Sequence, residues 1–190
     1  MEIEIRSFIE DFDGVRERLL AMKAEKLEET DIKDIWYCPN DAESFEDVQM
    51  DKKGSIGIRL RHEKGKRPEI NIKTIVTEND HNVFDEVETN FDSIEHMKKM
   101  LRLLGFKPFC RIVKHRETYG IDTMKINLEN IEGFPPCIEV EIIDDKDYDE
   151  NLEKIENLMA ELEIPQDKRI EKSITNLFMH ENSFKQEIER

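Results

Sequence analysis

Short segments of this chain alternate charged and aliphatic residues with a period of two, and the repetition restricts what the chain can become. The opening Met-Glu-Ile-Glu-Ile-Arg places Glu2, Glu4 and Arg6 on one face of a strand and Ile3 and Ile5 on the other. Residues 55–61 set Arg59 and Arg61 against Ile56, Ile58 and Leu60. In the next strand Asn71 and Lys73 alternate with Ile70 and Ile72, and the same two-residue spacing returns at Glu86/Glu88, Lys114/Arg116 and Glu139/Glu141. One such strand alone is simply wet on its charged side. Two carboxylates about 7 Å apart on a face turned inward would be costly unless a cation lay between them.

The pairs are segregated by sign, whereas a solvated sheet would usually mix signs within a strand. Glu2/Glu4, Glu86/Glu88 and Glu139/Glu141 are acidic, and Arg59/Arg61 and Lys114/Arg116 are basic. If the sheet curls with these faces inward, its carboxylates suit Mg²⁺ or Mn²⁺ and its cations suit phosphate oxygens. The formal net charge of −16 opposes binding to DNA, RNA or an anionic membrane through overall charge. An anionic ligand therefore needs a local basic site or a metal. At 190 residues the chain is expected to be a single domain, 1–190, that buries a core without disulfides. Cys38, Cys110 and Cys137 are odd in number and lack CxxC spacing, which fits buried small hydrophobes in a reducing compartment. With no leader and no apolar run near the roughly 18 residues that span a bilayer, the expectation is a soluble, cytoplasmic protein without membrane or nucleic-acid partners.

Along the chain, a first strand (1–10) leads to a helix capped by Asp13 and ending near Glu28, with Val15, Leu19, Leu20 and Met22 as its apolar stripe. Residues 34–38 read as a short strand before the Pro39-Asn40-Asp41 turn, with Trp36 in the core. Asp92 is read as the cap of a second helix, closed by Gly105. Strands follow at 109–118, 122–131 and after Pro135-Pro136. A helix over 147–162 and a last one around 170–180 complete the chain. His115 reads as a packed or surface residue. Strands joined by turns imply an antiparallel sheet with helices on its apolar faces, an α+β fold.

These segments, in order, resemble the CYTH superfamily, the triphosphate tunnel metalloenzymes. The family's ExExK is matched by Glu2-Ile3-Glu4-Ile5-Arg6, its LRxR strand by Gly57-Ile58-Arg59-Leu60-Arg61, and its next lysine by Lys73. ExExT is matched by Glu86-Val87-Glu88-Thr89, and the closing ExE by Glu139-Val140-Glu141. Glu129 falls where the family commonly has an aspartate. Leu104-Gly105-Phe106 and Lys114-His115-Arg116 are most like the class IV adenylate cyclase branch. The chain departs from the pattern at Phe84, at Phe134-Pro135-Pro136-Cys137 and at Ser173–Leu177.

The resemblance implies a closed antiparallel β-barrel of about eight strands, a tunnel flanked by helices. It implies Mg²⁺ or Mn²⁺ held by Glu2, Glu4, Glu129, Glu139 and Glu141, and a nucleoside triphosphate or other triphosphate held by Arg59, Arg61, Lys73, Lys114 and Arg116, with Glu86 and Glu88 beside it. Glu2, Glu4, Arg6, Lys114 and Arg116 would carry the chemistry. The leading expectation is a class IV adenylate cyclase-like enzyme converting ATP to cyclic AMP and pyrophosphate. An inorganic or thiamine triphosphatase and a catalytically silent nucleotide- or polyphosphate-binding module are the alternatives, and a homodimer is the candidate assembly.

Overall fold

A computed structural model describes residues 2–44, 47–48, 53–75, 84–143, 148–170 and 174–178. It is α+β. The strands are β1 (Glu2–Phe8), β2 (Glu25–Pro39), β3 (Ile56–Glu63), β4 (Glu69–Ile75), β5 (Phe84–Asn90), β6 (Phe106–Ile121), β7 (Met124–Ile131) and β8 (Cys137–Ile143). They form one eight-stranded sheet in the order β1-β8-β7-β6-β2-β3-β4-β5. Every pairing described between neighbouring strands is antiparallel. The helices are α1 (Phe12–Ala21), α2 (Ile94–Leu103), α3 (Tyr148–Glu161) and α4 (Ile174–Phe178). By its contacts the chain divides into two compact units, Met1–Asp31 with Lys114–Glu171 and Ile32–Val113 with Lys172–Arg190.

In the first unit the aliphatic faces of the alternating strands make the core. Ile3 and Ile5 of β1, Ile126 and Leu128 of β7, and Ile138, Val140 and Ile142 of β8 join Tyr119 of β6 in one buried cluster. Val15 and Leu19 of α1 and Ile155, Leu158, Met159 and Leu162 of α3 and its end cover that face. Burying each such side chain contributes about 1.5–3 kcal/mol, which fixes register because a one-residue slip would expose all of them. In the second unit Tyr37, Ile58, Leu60 and Leu101 are buried together, with Ile35, Ile70, Phe91, Met97 and Phe106 packed against them.

Several boundaries differ from the sequence reading for local reasons. Helix α1 is capped by Asp11, which accepts from Gly14 N–H at 2.9 Å, and Asp13 instead pairs with Arg16 in the first turn. It ends at Ala21, not near Glu28, in a Schellman closure: Lys23 N–H donates to Leu20 and Ala24 N–H to Leu19, both at 3.0 Å. Lys23 takes the left-handed φ of 63°, a place where glycine is usual, so no glycine marks the stop. Residues 25–33 are therefore strand, and the expected short strand at 34–38 is the last third of the 15-residue β2. Ser93, not Asp92, caps α2, because the Asp92 carboxylate is engaged by Arg67 at 2.7 Å while Ser93 Oγ accepts from His96 N–H. Strand β6 is longer than 109–118, and the last helix is described over Ile174–Phe178. All three cysteines are free and buried, as expected.

Candidate active site

The charged face of β1, β8, β7 and β6 in the first unit is buried at its centre and half-buried to exposed at Glu4, Arg6, Arg116 and Lys125. Cross-strand register sets Glu4 opposite Glu141 and Arg6 opposite Glu139 on β1 and β8, then Lys125 opposite Glu141 and Asn127 opposite Glu139 on β7. Arg116 and Thr118 of β6 face Glu129 and Asn127. Glu129, Glu139, Glu141, Lys114 and Asn127 are all among the buried polar side chains, so the face is not a solvated one.

Carboxylate oxygens of Glu4, Glu139 and Glu141 lie within 4.8 Å of one another. Three hard oxygen donors at that spacing fit Mg²⁺ or Mn²⁺. Cations and amides fix the carboxylates in place: Arg6 is ion-paired with Glu139, Lys125 Nζ donates to Glu141 at 2.5 Å, and Asn127 Nδ2 donates to Glu139 at 2.9 Å. Glu2 begins β1, and its side chain lies outside the described ones.

Glu129 is fully buried and is not a member of that triad. Its Oε1 accepts from both Lys114 Nζ and Arg116 Nε at 2.6 Å, so it gathers the two expected phosphate-binding cations. Burial pushes the Glu129 carboxyl upward, but Lys114, Arg116 and Arg6 outweigh it and hold the group well below the usual carboxylate range. The neighbouring Cys137 thiol is pushed up to about 12, by burial first and then by Glu129, which makes it inert.

The second unit carries the other expected group on β2 to β5. Arg61 lies opposite Asp34 and binds it with two parallel bonds of 2.8 Å. Burial disfavours the charged guanidinium, yet Asp34 outweighs it and raises Arg61 above its ordinary value. Arg59 is different. Its ion-pair distance to Glu69 is 3.7 Å, its guanidinium carbon stands 5.7 Å from the centroid of the Trp36 ring, and burial with the nearby Arg61 charge lowers its pKa. Lys73 is ion-paired with Glu86, which also accepts from Asn71 Nδ2 at 3.0 Å, and Glu88 is exposed opposite Asn71.

Each unit thus assembles its own part of the expected set, Glu4, Arg6, Lys114, Arg116, Glu129, Glu139 and Glu141 in one and Arg59, Arg61, Lys73, Glu86 and Glu88 in the other. The sequence reading misses Asp34, whose place on a polar strand face is hidden when the strand is begun at that residue. Trp36, expected in the core, is half-buried and lies on the polar face beside Arg59. On the apolar side of the first unit, Glu117 accepts from Arg16 at 2.9 and 2.6 Å and from Tyr119 Oη at 2.6 Å. Burial works against its charge, but these donors hold the carboxyl down at about 2. His115 sits half-exposed, its Nδ1 2.8 Å from Asp31, as a surface residue.

The chain has relatives along nearly its whole length. A protein of Methanocaldococcus jannaschii named "Putative adenylate cyclase" is 26% identical over 185 residues, 93% of this chain and 98% of that protein. A solved structure from Pyrococcus horikoshii matches with a TM-score of 0.77 at 18% identity, over 93% of this chain and 99% of its own. A Hippeastrum protein reported as a "Putative adenylyl cyclase" with a dominant triphosphatase activity matches with a TM-score of 0.65 at 15% identity, over 94% and 95% of the two chains. No helix among the described residues is long and apolar enough to cross a membrane. The CYTH domain family profile matches residues 1–174, through both units, and the chain belongs to the CYTH domain family.

Proposed function

We propose that this chain is a metal-dependent enzyme of triphosphates and that its leading activity is cyclisation of ATP to cyclic AMP and pyrophosphate. The carrying observation is the carboxylate triad of half-buried Glu4 with buried Glu139 and Glu141, on the same sheet face as Arg6, Lys114 and Arg116. A divalent cation on that triad would neutralise phosphate charge and lower the pKa of an attacking hydroxyl. Glu129 holds Lys114 and Arg116 side by side, and their positive charges would attract phosphate oxygens. Arg6 and Asn127 hold Glu139, and Lys125 holds Glu141, so the triad is preorganised by its own neighbours. In the second unit Arg59, Arg61 and Lys73 are the cations that the family pattern assigns to a triphosphate, and Arg59 is the arginine with the weaker carboxylate partner. The ribose 3′-hydroxyl would give its proton to solvent and attack the α-phosphorus through its oxygen, the bond from that phosphorus to the bridging oxygen would break, and pyrophosphate would leave as an anion stabilised by Arg6, Lys114 and Arg116.

The name carried by the Methanocaldococcus relative supports cyclisation. The triphosphatase activity reported for the Hippeastrum protein favours the second reading, in which water attacks the terminal phosphate. Phosphorus NMR of ATP and of tripolyphosphate incubated with the protein and Mn²⁺ separates them. Pyrophosphate with a cyclic nucleotide supports cyclisation, whereas orthophosphate from tripolyphosphate without a cyclic product moves the chain to hydrolysis.

A further inference from the structure

Two carboxylates of the triad are held by partners of different kinds. Glu139 accepts from the Asn127 amide at 2.9 Å, and a neutral dipole can keep that bond while the carboxylate also holds a metal. Glu141 accepts from Lys125 Nζ at 2.5 Å, so its partner carries a full positive charge. That grip positions Glu141 while no ion is bound. It is also an obstacle, because a cation gathered by Glu4, Glu139 and Glu141 shares Glu141 with the ammonium, and two positive charges in one small site repel.

Lys125 is also the cation best able to leave. Its side chain is 48% exposed, against 7% for that of Glu141. On β7 it stands between Glu141 of β8 and Gly120 of β6, so one of its two cross-strand neighbours has no side chain to hold it. Its ammonium sits on a flexible four-carbon stem and is readily hydrated. The two arginines near Glu139 are set differently. The side chains of Arg6 and Arg116 are only 16% and 13% exposed, and Arg116 is anchored on the fully buried Glu129. A double positive charge that replaces a single one beside three carboxylates gains attraction, so the exchange can be favourable although an ion pair is broken.

We propose that Lys125 is a tethered counter-ion of the metal site: its ammonium neutralises Glu141 when no ion is bound, a divalent cation displaces it from that carboxylate, and the exchange sets the metal concentration at which the site fills. This rests on the reading of the triad as a metal site and deepens it. Lys125 thereby tunes metal affinity without ligating the metal, while Asn127, Arg6 and Arg116 keep Glu139 in place throughout.

Calorimetric titration of the nucleotide-free protein with Mn²⁺ tests this, because the two roles open to Lys125 change affinity in opposite directions. Lys125→Met keeps an aliphatic stem and removes the charge. It is expected to bind Mn²⁺ about tenfold more tightly than the wild type or better, the factor that matches one hydrogen bond to a charged group. Lys125→Arg keeps the charge on a stronger carboxylate partner and is expected to bind Mn²⁺ no more tightly than the wild type. Unchanged or weaker Mn²⁺ binding in Lys125→Met would overturn the proposal and leave the lysine as a group that only orients Glu141, whose loss lowers affinity about 10- to 100-fold. The wild type gives a second reading that needs no variant to fold. Acetylation of Lys125 by acetic anhydride, followed by mass spectrometry, is expected to speed up severalfold when Mn²⁺ saturates the protein, while the exposed Lys99 reacts at an unchanged rate. A Lys125 rate that Mn²⁺ leaves unchanged or lowers would overturn the displacement. If neither the wild type nor the two variants bind Mn²⁺, the triad is not a metal site, and the underlying reading falls together with the proposal.

Discussion

Asn127 donates to the Glu139 carboxylate at 2.9 Å while its own Oδ1 accepts from the Thr118 hydroxyl at 2.9 Å. The three lie in register across β6, β7 and β8, and Asn127 is wholly buried. One lone pair of Glu139 is thus committed to the sheet, which aims the rest of the carboxylate towards Glu4 and Glu141. Asn127→Leu takes the acceptor from the Thr118 hydroxyl and leaves that Glu139 oxygen only its longer ion pair with Arg116, at 3.6 Å. Mn²⁺ affinity measured by calorimetry is expected to fall about 10- to 100-fold, the usual effect of removing a group that orients a metal ligand. A shift within twofold would mean that Arg6 and Arg116 suffice to hold Glu139.

Glu4→Gln combined with Glu141→Gln removes two of the three clustered carboxylates. Turnover in Mg²⁺ or Mn²⁺ is expected to disappear, and the rise in thermal midpoint that Mn²⁺ produces in the wild type is expected to vanish with it. Without metal the variant should be no less stable than the wild type, because like charges in one site repel. Full activity in this variant would dismiss the triad as a metal site.

Acid stability isolates the buried carboxylates. Glu117 falls to about 2 in the folded protein from an ordinary value of 4.5, and Glu129 is also depressed. As pH falls below about 4.5 the unfolded chain takes up these protons before the folded one does. The stability they contribute is therefore complete above that pH and is lost progressively as pH drops towards about 2, where the folded Glu117 also titrates. Urea unfolding between about pH 5 and 2.5 is expected to show a shallower acid slope for Glu117→Gln than for wild type. Parallel slopes would mean that the Arg16–Glu117 pair does not persist in solution.

The period-two charge pairs make the strands and their faces legible, because a face of Glu139 and Glu141 opposed to Val140 and Ile142 has only one orientation that buries the aliphatics. They also single out Glu4, Glu139 and Glu141, whose carboxylate oxygens the fold gathers within 4.8 Å of one another. What alternation cannot carry is who pairs with whom. Lys114 and Arg116 read as a cation bank, but whether Glu129 holds them depends on the β6–β7 register, a long-range property. Asp34 pairs with Arg61 across 27 residues for the same reason. Boundaries are obscured where the chain uses an unorthodox residue: Lys23 and Glu163 both adopt positive φ, at 63° and 59°, at helix ends where a glycine would be the visible signal. Trp36 reads as core because an aromatic residue in a strand most often is, and only the neighbour across the ladder reveals the polar face.

Arg59 and Arg61 are equivalent in sequence, two residues apart on one face, yet their surroundings assign them different work. Asp34 is buried and accepts both of the Arg61 bonds, so removing Arg61 takes two charge-assisted bonds from a carboxylate in the interior. Arg61→Ala is expected to cost about 3–5 kcal/mol of stability, the usual penalty for breaking a buried pair from one side. Arg59 has its carboxylate partner at 3.7 Å and carries an unpaired Nε–H, so Arg59→Ala is expected to change stability by less than about 1 kcal/mol. Binding should show the reverse order of directness. Arg59→Ala is expected to weaken a non-reacting triphosphate by about 1.5–3 kcal/mol, the scale of a hydrogen bond to a charged group, in a protein that unfolds almost as the wild type does. Urea unfolding and calorimetry on the same two variants decide the matter. If Arg59→Ala is the less stable of the two, or if it binds triphosphate as tightly as the wild type, the division of labour between the arginines is wrong.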